Sequence, residues 1–363
     1  MTIYVNGRFM TQPVSGVQRY AAQILACLDR RAADGVAPPI ELLCPPGAPT
    51  VSLAAIPQRF VGRGGGHRWE QWDFARAARG GVALSLAMSG PLRHRRHLVV
   101  IHDAAVHRHP EHFSMAYAAG HRLLDHGLAR RASIATVSAF SRGELAAVLG
   151  LRAESIVVAP NGADHVEQRT ASAIPDHLDL AGRRFFLVLG NLAPNKNLAV
   201  VDRALAHVDD QQVRVIVVGA GRGRVFGAPP MPRDSRLRFA GRLSDSEVGA
   251  LMAEARALIF PSRYEGFGLP PLEAMASGCP VLAGDIGAVR EVCGAAADLF
   301  APDDEWTLAR LMRRALSDDG RWRAARIAAG RARAGHFRWA QSADVILRRC
   351  IALDEERGAM CGS

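Results

Sequence analysis

Two glutamates placed eight positions apart in a glycine-rich segment are the residues of this chain best suited to chemistry. Between Glu265 and Glu273 lie Gly266, Gly268 and the pair Pro270-Pro271. Glycines lack a Cβ and let the backbone approach a ligand closely, and prolines fit the first turn of a helix. The N–H groups at such a helix start attract anions. The segment therefore offers donors for a phosphate and acceptors for sugar hydroxyls, a pairing that suits a nucleotide sugar.

A lysine in a second loop can supply the positive charge that a diphosphate needs. Lys196 lies in the segment 190–197, between an apolar run that predicts a strand and a pattern that predicts a helix. There it can neutralise a departing diphosphate as a point charge, and one preorganised donor is worth roughly 3 kcal/mol in a transition state. The sequence has no strict D-x-D motif. We therefore expect the phosphate to be stabilised without a metal or another cofactor.

The elements that must position these residues follow from the alternation of short apolar runs with helical patterns in both halves of the chain. This alternation predicts parallel sheets with helices on both faces, and 363 residues favour two domains. We expect an α/β protein in which two Rossmann-like domains face each other across a cleft, with ligands at the carboxyl ends of the strands. The predicted strands are 3–6, 40–44, 98–101, 134–138, 156–159, 185–190, 213–219, 237–241, 257–261 and 280–284. The predicted helices begin near Gly16 and cover 198–208, 245–255, 271–277 and 305–316.

The segment from Pro261 to Val281 resembles the E-x7-E region of retaining glycosyltransferases of family 4, whose pattern PSxxEGFGLPxLEAMAxGxPV it follows with few departures. The resemblance covers most of the chain and is strongest from 185 to 302. It implies the glycosyltransferase B fold and a retaining hexosyltransferase that works by front-face attack through an ion-pair-like state. The implied organisation is an acceptor-binding domain at 1–165, a weakly periodic linker at 166–182, a nucleotide-sugar-binding domain at 183–338, and a terminal helix in 339–363 that crosses back to the first domain.

The resemblance also assigns roles in the second domain. Glu273 would bind the ribose hydroxyls, Glu265 would accept hydrogen bonds from the donor sugar, and Lys196 with the following helix start would meet the phosphate charge. Asn191 stands where the family carries an arginine, and the nucleotide base is expected near Arg242 and near 219–221, where the glycines miss the dinucleotide-binding spacing. The implied donor-binding set is Gly16, Asn191, Lys196, Arg242, Leu243, Glu265, Gly266, Phe267, Gly268, Leu269 and Glu273.

In the first domain the resemblance singles out the end of a strand and the first loop. His102 would contact the donor sugar near the reacting carbon, and Asp103 would orient His102 or help to deprotonate the acceptor. Gly16 would lie beside the donor phosphates, although the preceding Ser15 is equally suited to a plain helix cap. The implied catalytic residues are thus His102, Asp103, Lys196 and Glu265.

Eight of the thirteen histidines fall between positions 94 and 126. The spacing of His107, His109 and His112 matches no familiar ligand pattern and has no cysteine partners, so the sequence predicts no metal site. We favour a face that binds phosphate or sugar hydroxyls of the acceptor.

The net charge of +10 suits phosphorylated substrates or an anionic membrane surface, and no recognised nucleic-acid-binding module accompanies it. We expect a basic surface of the first domain to meet anionic headgroups or a lipid diphosphate. No run approaches the roughly 20 apolar residues that span a bilayer, and the N-terminus lacks signal-peptide features. These features predict a cytoplasmic protein that is peripheral at the inner membrane face. The basic residues concerned are Arg93, Arg95, Arg96, Arg122, Arg130 and Arg131.

Three functions fit these observations. The first is transfer of a sugar from a nucleotide donor to a polysaccharide or lipid-linked glycan. GDP-mannose is a candidate donor, because segments 6–9 and 16–20 resemble bacterial mannosyl- and rhamnosyltransferases of surface polysaccharides such as lipopolysaccharide. The second is a nucleotide-sugar epimerase of the same fold, which would not need the glutamate pair. The third is a non-catalytic nucleotide-sugar binding protein, which the presence of both His102 and Lys196 disfavours.

Overall fold

A computed structural model describes residues 1–170, 172–190, 193–219 and 234–361 of the chain and divides it into two compact units. Unit 1 comprises 1–107, 116–162 and the segment from Arg338 onward, and unit 2 comprises 108–115 and 163–337. Each unit is built on one parallel sheet.

The sheet of unit 1 has seven strands within the described residues, in the order β3-β2-β1-β4-β5-β6-β7. All registered neighbours are parallel, and the order reverses between β1 and β4. Four of these strands, β1, β2, β4 and β5, are almost wholly buried, as expected for a sheet covered on both faces. The strands are β1 Ile3–Asn6, β2 Ile40–Cys44, β3 Gln58–Phe60, β4 Val82–Ser85, β5 His97–Val100, β6 Ser133–Thr136 and β7 Val157–Val158.

Helices of unit 1 surround this sheet, and the last helix of the chain returns to it. The terminal helix packs against the first: the rings of Tyr20 and Trp339 meet edge to face at 5.8 Å, and Arg31 binds Asp344 through two 2.8 Å contacts. The α-helices are α1 Gly16–Ala33, α2 Gly66–Trp69, α3 Ala75–Ala77, α4 Ala105–Arg108, α5 Met115–Ala129, α6 Ala139–Leu149 and, at the end of the chain, α13 Trp339–Cys361; a π-helix covers Glu70–Phe74 and short 3-10 helices cover Gly7–Thr11 and Ala153–Ser155. The 3-10 helix Pro110–His112 belongs to unit 2.

Unit 2 contains a six-stranded parallel sheet in its described part, in the order β10-β9-β8-β11-β12-β13. Valine and leucine side chains of β8, β9 and α7 form its buried core together with α11. The strands are β8 Phe185–Leu189, β9 Arg214–Val218, β10 Leu237–Gly241, β11 Leu258–Phe260, β12 Val281–Gly284 and β13 Asp298–Phe300. The helices are α7 Leu198–Leu205, α8 Asp245–Glu254, α9 Leu269–Ala276, α10 Gly287–Cys293, α11 Glu305–Ser317 and α12 Arg321–Ala334, with 3-10 turns at Asp164–Gln168, Asp176–Leu178, Pro194–Lys196 and Gly294–Ala296.

The predicted α/β class with two Rossmann-like parallel-sheet domains is confirmed, and every predicted strand and helix corresponds to an observed one. The prediction missed β3, β4 and β13, which are only three or four residues long. Among the described residues, no helix is both long enough and apolar enough to cross a lipid bilayer.

Candidate active site

The loops that follow β8 and β11 are joined by hydrogen bonds and bring two predicted site residues together. The backbone N–H of Arg263 donates to the carbonyl oxygen of Asn195 at 2.8 Å, and the Asn195 amide donates to the carbonyl of Tyr264 at 3.3 Å. Gly190 begins the first of these loops with a φ of +145°, a conformation that favours glycine. Both loops therefore leave the carboxyl ends of adjacent strands as one structure.

These loops place the ammonium group of Lys196 against the carboxylate of Glu265. The Lys196 Nζ–Glu265 Oε1 distance is 2.5 Å, and the two side chains are 23% and 17% exposed. The Lys196 Nζ also lies 5.4 Å from the centre of the Phe260 ring, on the last residue of β11. A cation and an anion are thus held at the surface edge of the unit 2 sheet, within reach of a ligand.

Helix α9 begins immediately beyond this pair. Gly268 precedes it with a φ of +105°, and Pro270-Pro271 occupies the first turn, as predicted from the sequence. The backbone N–H groups of Phe267, Gly268 and Leu269 thus lie at the start of the helix, where the peptide dipoles favour negative charge. Gly266, Phe267, Gly268 and Leu269 are all buried, so this segment is packed rather than loose.

The second glutamate of the pattern is buried and already has partners. Glu273 is 6% exposed; its Oε1 lies 2.9 Å from His165 Nε2, and its Oε2 lies 3.3 Å from the Arg169 guanidinium. The side chains of all three residues are at most 9% exposed. Because a carboxylate oxygen accepts more than one hydrogen bond, a ribose could share Glu273 with these partners.

Sequence reasoning missed His165, at the end of the expected first domain, and Arg169, in the segment expected to be a linker. The available signal was Glu273 itself, because it lies between the apolar residues Leu272 and Ala274 of one helix, and the structure buries both. A carboxylate in such surroundings needs a cationic or donor partner from elsewhere in the chain.

The expected base-binding residues are only partly described. Arg242 is exposed and Leu243 half-buried, directly after β10 and before the capping box of Ser244 and Glu247 that starts α8. Asn191 and the glycines beyond Gly219 lie outside the described residues.

In unit 1, His102 is buried and held by a backbone carbonyl. Its Nε2 lies 3.0 Å from the carbonyl oxygen of Leu86, and its ring meets the edge of the Tyr20 ring at 4.8 Å. Because a carbonyl only accepts, Nε2 carries the proton and Nδ1 is the acceptor nitrogen. Burial lowers the pKa of His102 to about 4, so this imidazole is neutral at pH 7. It is suited to accept a hydrogen bond from a hydroxyl rather than to serve as an acid.

Asp103 and Gly16 lie at two helix starts of the same unit. The Asp103 carboxylate accepts a 2.8 Å hydrogen bond from the backbone N–H of Ala105, at the beginning of α4. Gly16 is the first residue of α1, and a Cβ added there would meet nothing within 4 Å. Ser15 occupies the N-cap position, but its hydroxyl bonds the Gln18 side chain instead of capping the helix.

Three neighbouring side chains outside this constellation resemble a metal-ligand group. Candidate ligand atoms of His109, Glu111 and His112 lie within 4.8 Å of one another. The His109 ring also meets Tyr264, the residue before Glu265, at 4.9 Å. The spacing in the sequence did not suggest this group, and the expectation of metal-free chemistry stays a prediction.

The predicted basic surface of unit 1 is only partly available to a ligand. Arg96 is engaged with Asp354 of α13 at 2.5 Å. The exposed members are Arg93, Arg95, Arg122, Arg130 and Arg131.

The second unit and most of the chain are similar to known glycosyltransferases. Residues 183–318 match the family described as glycosyl transferases group 1. The O-antigen chain mannosyltransferase B of Escherichia coli is 29% identical over 261 residues, which are 69% of this chain and 68% of that protein.

Solved structures share the fold at low sequence identity. WaaG, a glycosyltransferase involved in lipopolysaccharide biosynthesis, aligns with a TM-score of 0.70 at 17% identity over 95% of this chain and 99% of its own. Anabaena HepE, solved in complex with UDP-glucose, aligns with a TM-score of 0.70 at 20% identity over 98% of this chain and 100% of its own. Residues 183–318 of the chain are therefore similar to the glycosyl transferases of group 1, and the two α/β units share the glycosyltransferase B fold with these solved structures.

Proposed function

We propose that this protein transfers a sugar, with mannose as the candidate, from a nucleoside-diphosphate donor to a polysaccharide or lipid-linked glycan, with retention of the anomeric configuration. The observation that carries this proposal is the placement of Lys196 against Glu265 beside the start of α9. A cation and helix N–H groups suit a diphosphate, and the adjacent carboxylate suits sugar hydroxyls.

The proposed chemistry assigns one task to each group. The donor diphosphate displaces Glu265 from Lys196, and the N–H groups of residues 267–269 and Lys196 then stabilise the charge that grows on the leaving phosphate. Glu265, released from the lysine, accepts hydrogen bonds from the donor sugar. Glu273 binds the ribose, and Arg242 with Leu243 lies near the base. Metal-free stabilisation is part of this proposal.

The relatives favour the sugar and the type of acceptor. The Escherichia coli relative is an O-antigen chain mannosyltransferase, WaaG works in lipopolysaccharide biosynthesis, and HepE was solved with UDP-glucose. We extend the mannosyl transfer and the surface-polysaccharide acceptor to our chain, and GDP-mannose stays our candidate for the donor.

A panel of nucleotide sugars tests the donor. Ligand binding raises the unfolding temperature by mass action, so the true donor is expected to give the largest thermal shift. The selected donor is then incubated with mannose-terminated acceptors, and the anomeric configuration of the product is read by NMR. Stereochemical inversion would contradict the retaining part of the proposal. An epimer formed from the donor alone would identify an epimerase, and binding without any conversion would identify a non-catalytic protein.

We further propose that unit 1 contacts an anionic membrane surface through the exposed arginines of α5 and the residues after it. Arg122, Arg130 and Arg131 are exposed there, together with Leu123, which is 76% exposed. Juxtaposed basic and apolar groups favour the boundary of an anionic bilayer. Sedimentation with vesicles of anionic lipid at low salt should recover the protein, and neutral vesicles should not. Equal recovery with both would refute the proposal.

A further inference from the structure

Unit 1 contains a buried arginine that takes no part in the proposed nucleotide-sugar site. One side of its guanidinium group is open to a ligand. Arg8 follows β1 directly, in the 3-10 helix Gly7–Thr11, and is 8% exposed. Its position depends on the preceding glycine: a Cβ on Gly7 would lie 2.5 Å from Cys44 Sγ and 2.7 Å from the carbonyl oxygen of Leu43. The backbone is therefore packed tightly where it delivers this side chain.

A second buried charge fixes the guanidinium. Arg8 donates from Nε to Glu70 Oε1 at 3.2 Å and from Nη2 to the Ser89 hydroxyl at 2.5 Å. Glu70 is 1% exposed and also accepts from Asn6 Nδ2 at 2.7 Å and from Ser89 Oγ at 3.0 Å. Burial acts to raise the pKa of Glu70, but the His67 hydrogen bond and the Arg8 charge hold it below its ordinary value. The pair is thus ionised and rigid, and its net charge is zero.

The third guanidinium nitrogen of Arg8, Nη1, makes no hydrogen bond within the described residues. A fully buried Nη1 would count among the buried polar atoms without a hydrogen-bond partner, and it does not. The Nη1 atom therefore belongs to the solvent-accessible part of Arg8. A preorganised arginine with an open N–H edge can bind a ligand with little further loss of side-chain entropy.

The aromatic rings of His67, His121 and Tyr117 lie in a row that begins at the Arg8–Glu70 ion pair. His67 Nδ1 lies 3.2 Å from Glu70 Oε2, the His67 and His121 rings are 5.7 Å apart, and the His121 and Tyr117 rings are 4.2 Å apart. Tyr117 is 38% exposed, and the His67 side chain is 49% exposed. The rings thus form a partly open platform next to the arginine.

The location agrees with a ligand site. Arg8 follows β1 and Ser89 follows β4, and these adjacent strands are where the strand order of the unit 1 sheet reverses. In open α/β sheets, ligands bind at the carboxyl ends of the strands at such a reversal. The π-helix Glu70–Phe74, which begins at Glu70, is also a feature found often at functional sites.

We propose that Arg8, Tyr117 and His121 form a subsite for a neutral sugar residue of the acceptor glycan. The Arg8–Glu70 pair carries no net charge, so it favours hydroxyl oxygens over an anion, and the rings offer an apolar face for the C–H side of a pyranose. The inference rests on the proposed function, in which unit 1 binds the acceptor.

Saturation-transfer NMR on the full chain with methyl α-mannoside, without any nucleotide, tests this subsite. The wild type should transfer saturation to the sugar, and Tyr117→Ala should abolish the effect without affecting folding, because this side chain is partly exposed. Arg8→Lys keeps the charge but loses the fork and should also abolish it. Arg76→Ala, an exposed arginine of α3 in the same unit, is the control and should match the wild type.

Three outcomes would overturn the proposal: no saturation in the wild type, saturation in Tyr117→Ala and Arg8→Lys equal to that of the wild type, or displacement of the sugar by inorganic phosphate, which would indicate an anion site. Kinetics supply an independent readout, because both variants should raise the KM for acceptor several-fold with kcat and the donor-induced thermal shift little changed. A wild type that binds the mannoside but transfers no sugar would instead refute the proposed function and leave the subsite standing.

Discussion

The ammonium nitrogen of Lys196 lies 2.5 Å from Oε1 of Glu265, so the group proposed to bind the donor diphosphate and the group proposed to bind the donor sugar form an ion pair with each other. Both side chains are partly exposed, and both loops are tied by the Asn195 contacts. A donor that brings a diphosphate to the lysine and hydroxyls to the carboxylate would replace one ion pair with two sets of interactions. The ion pair thus holds both side chains in position between the two loops.

Lys196→Ala is expected to lower kcat at saturating donor on the order of 100-fold, because one preorganised donor is worth roughly 3 kcal/mol in the transition state. Initial rates of nucleoside diphosphate release measure the effect. Lys196→Arg serves as the charge-conserving comparison and should retain more activity. An unchanged kcat in Lys196→Ala would remove the lysine from charge stabilisation.

Glu265→Ala is expected to impair transfer while nucleoside diphosphate binds almost as in the wild type, because the carboxylate is assigned to the sugar and not to the phosphates. Isothermal titration with the free nucleoside diphosphate, compared with the transfer rate, separates the two effects. A large loss of nucleoside diphosphate affinity would reassign Glu265 to the nucleotide.

Glu273→Ala is expected to weaken nucleotide binding and to destabilise unit 2. Removing this carboxylate takes away the anion that faces Arg169 and His165 in a buried site, and breaking a buried ion pair costs about 3–5 kcal/mol. Arg169→Met should cause a similar loss of stability and misorient Glu273, measured by urea unfolding and by nucleotide titration. The control is Arg183→Met, since its pair with Asp179 is largely at the surface and contributes little. Equal stability of the Arg169 and Arg183 variants would contradict this role.

The sequence was sufficient for the parts of the fold that rest on local patterns. The strands β8, β9 and β12 are continuous apolar runs buried on both faces, which makes them easy to recognise in the sequence. The segment Gly268-Leu269-Pro270-Pro271 likewise indicates the start of α9. By contrast, β3 reads Gln-Arg-Phe and is mostly exposed, so its pairing with β2 decides its structure rather than its own residues.

The sequence indicated candidate site residues that directly follow recognisable strands, but it did not indicate the partners that distant segments supply. Glu265 and Lys196 stood out because each follows a recognisable strand. The contact between His165 and Glu273 spans 108 positions and starts from a 3-10 turn in a segment without periodicity. The burial of His102, which fixes its protonation, likewise depends on packing by Tyr20 and Leu86 from other elements.

Transfer is expected to proceed at an unchanged rate after treatment with EDTA, because the proposed site stabilises phosphate charge with Lys196 and backbone N–H groups. The measurement is nucleoside diphosphate release before and after chelation. Glu111→Gln is the informative companion, since Glu111 lies between His109 and His112 in the one group with metal-ligand geometry found among the described residues. A rate that falls in EDTA, returns with added metal and is already low in Glu111→Gln would show that this group binds a working ion.

Stability of unit 1 is expected to fall as the pH drops from about 6.5 towards 4. Burial lowers the pKa of His102 to about 4 and that of His97 to about 3, from an ordinary value of 6.5. Between pH 6.5 and 4, His102 and His97 bind protons in the unfolded chain but stay neutral in the folded chain. The free energy of unfolding therefore decreases with acidification, by roughly 3 kcal/mol for His102 alone. Carboxylates with lowered pKa values, such as Glu70 and Asp29, add to this loss only as the pH approaches their ordinary values of 4.5 and 3.8.

The variants His102→Gln and His97→Gln each remove one of these titrations and should flatten the slope of unfolding free energy against pH between 6.5 and 4. Urea unfolding at several pH values measures that slope, with His207→Gln on unit 2 as the control because His207 is only stacked on the exposed Trp306. A slope that is the same in all three variants as in the wild type would mean that neither buried imidazole stays neutral in the folded protein. His102 would then be free to donate a proton, and its role as a neutral acceptor for a sugar hydroxyl would have to be given up.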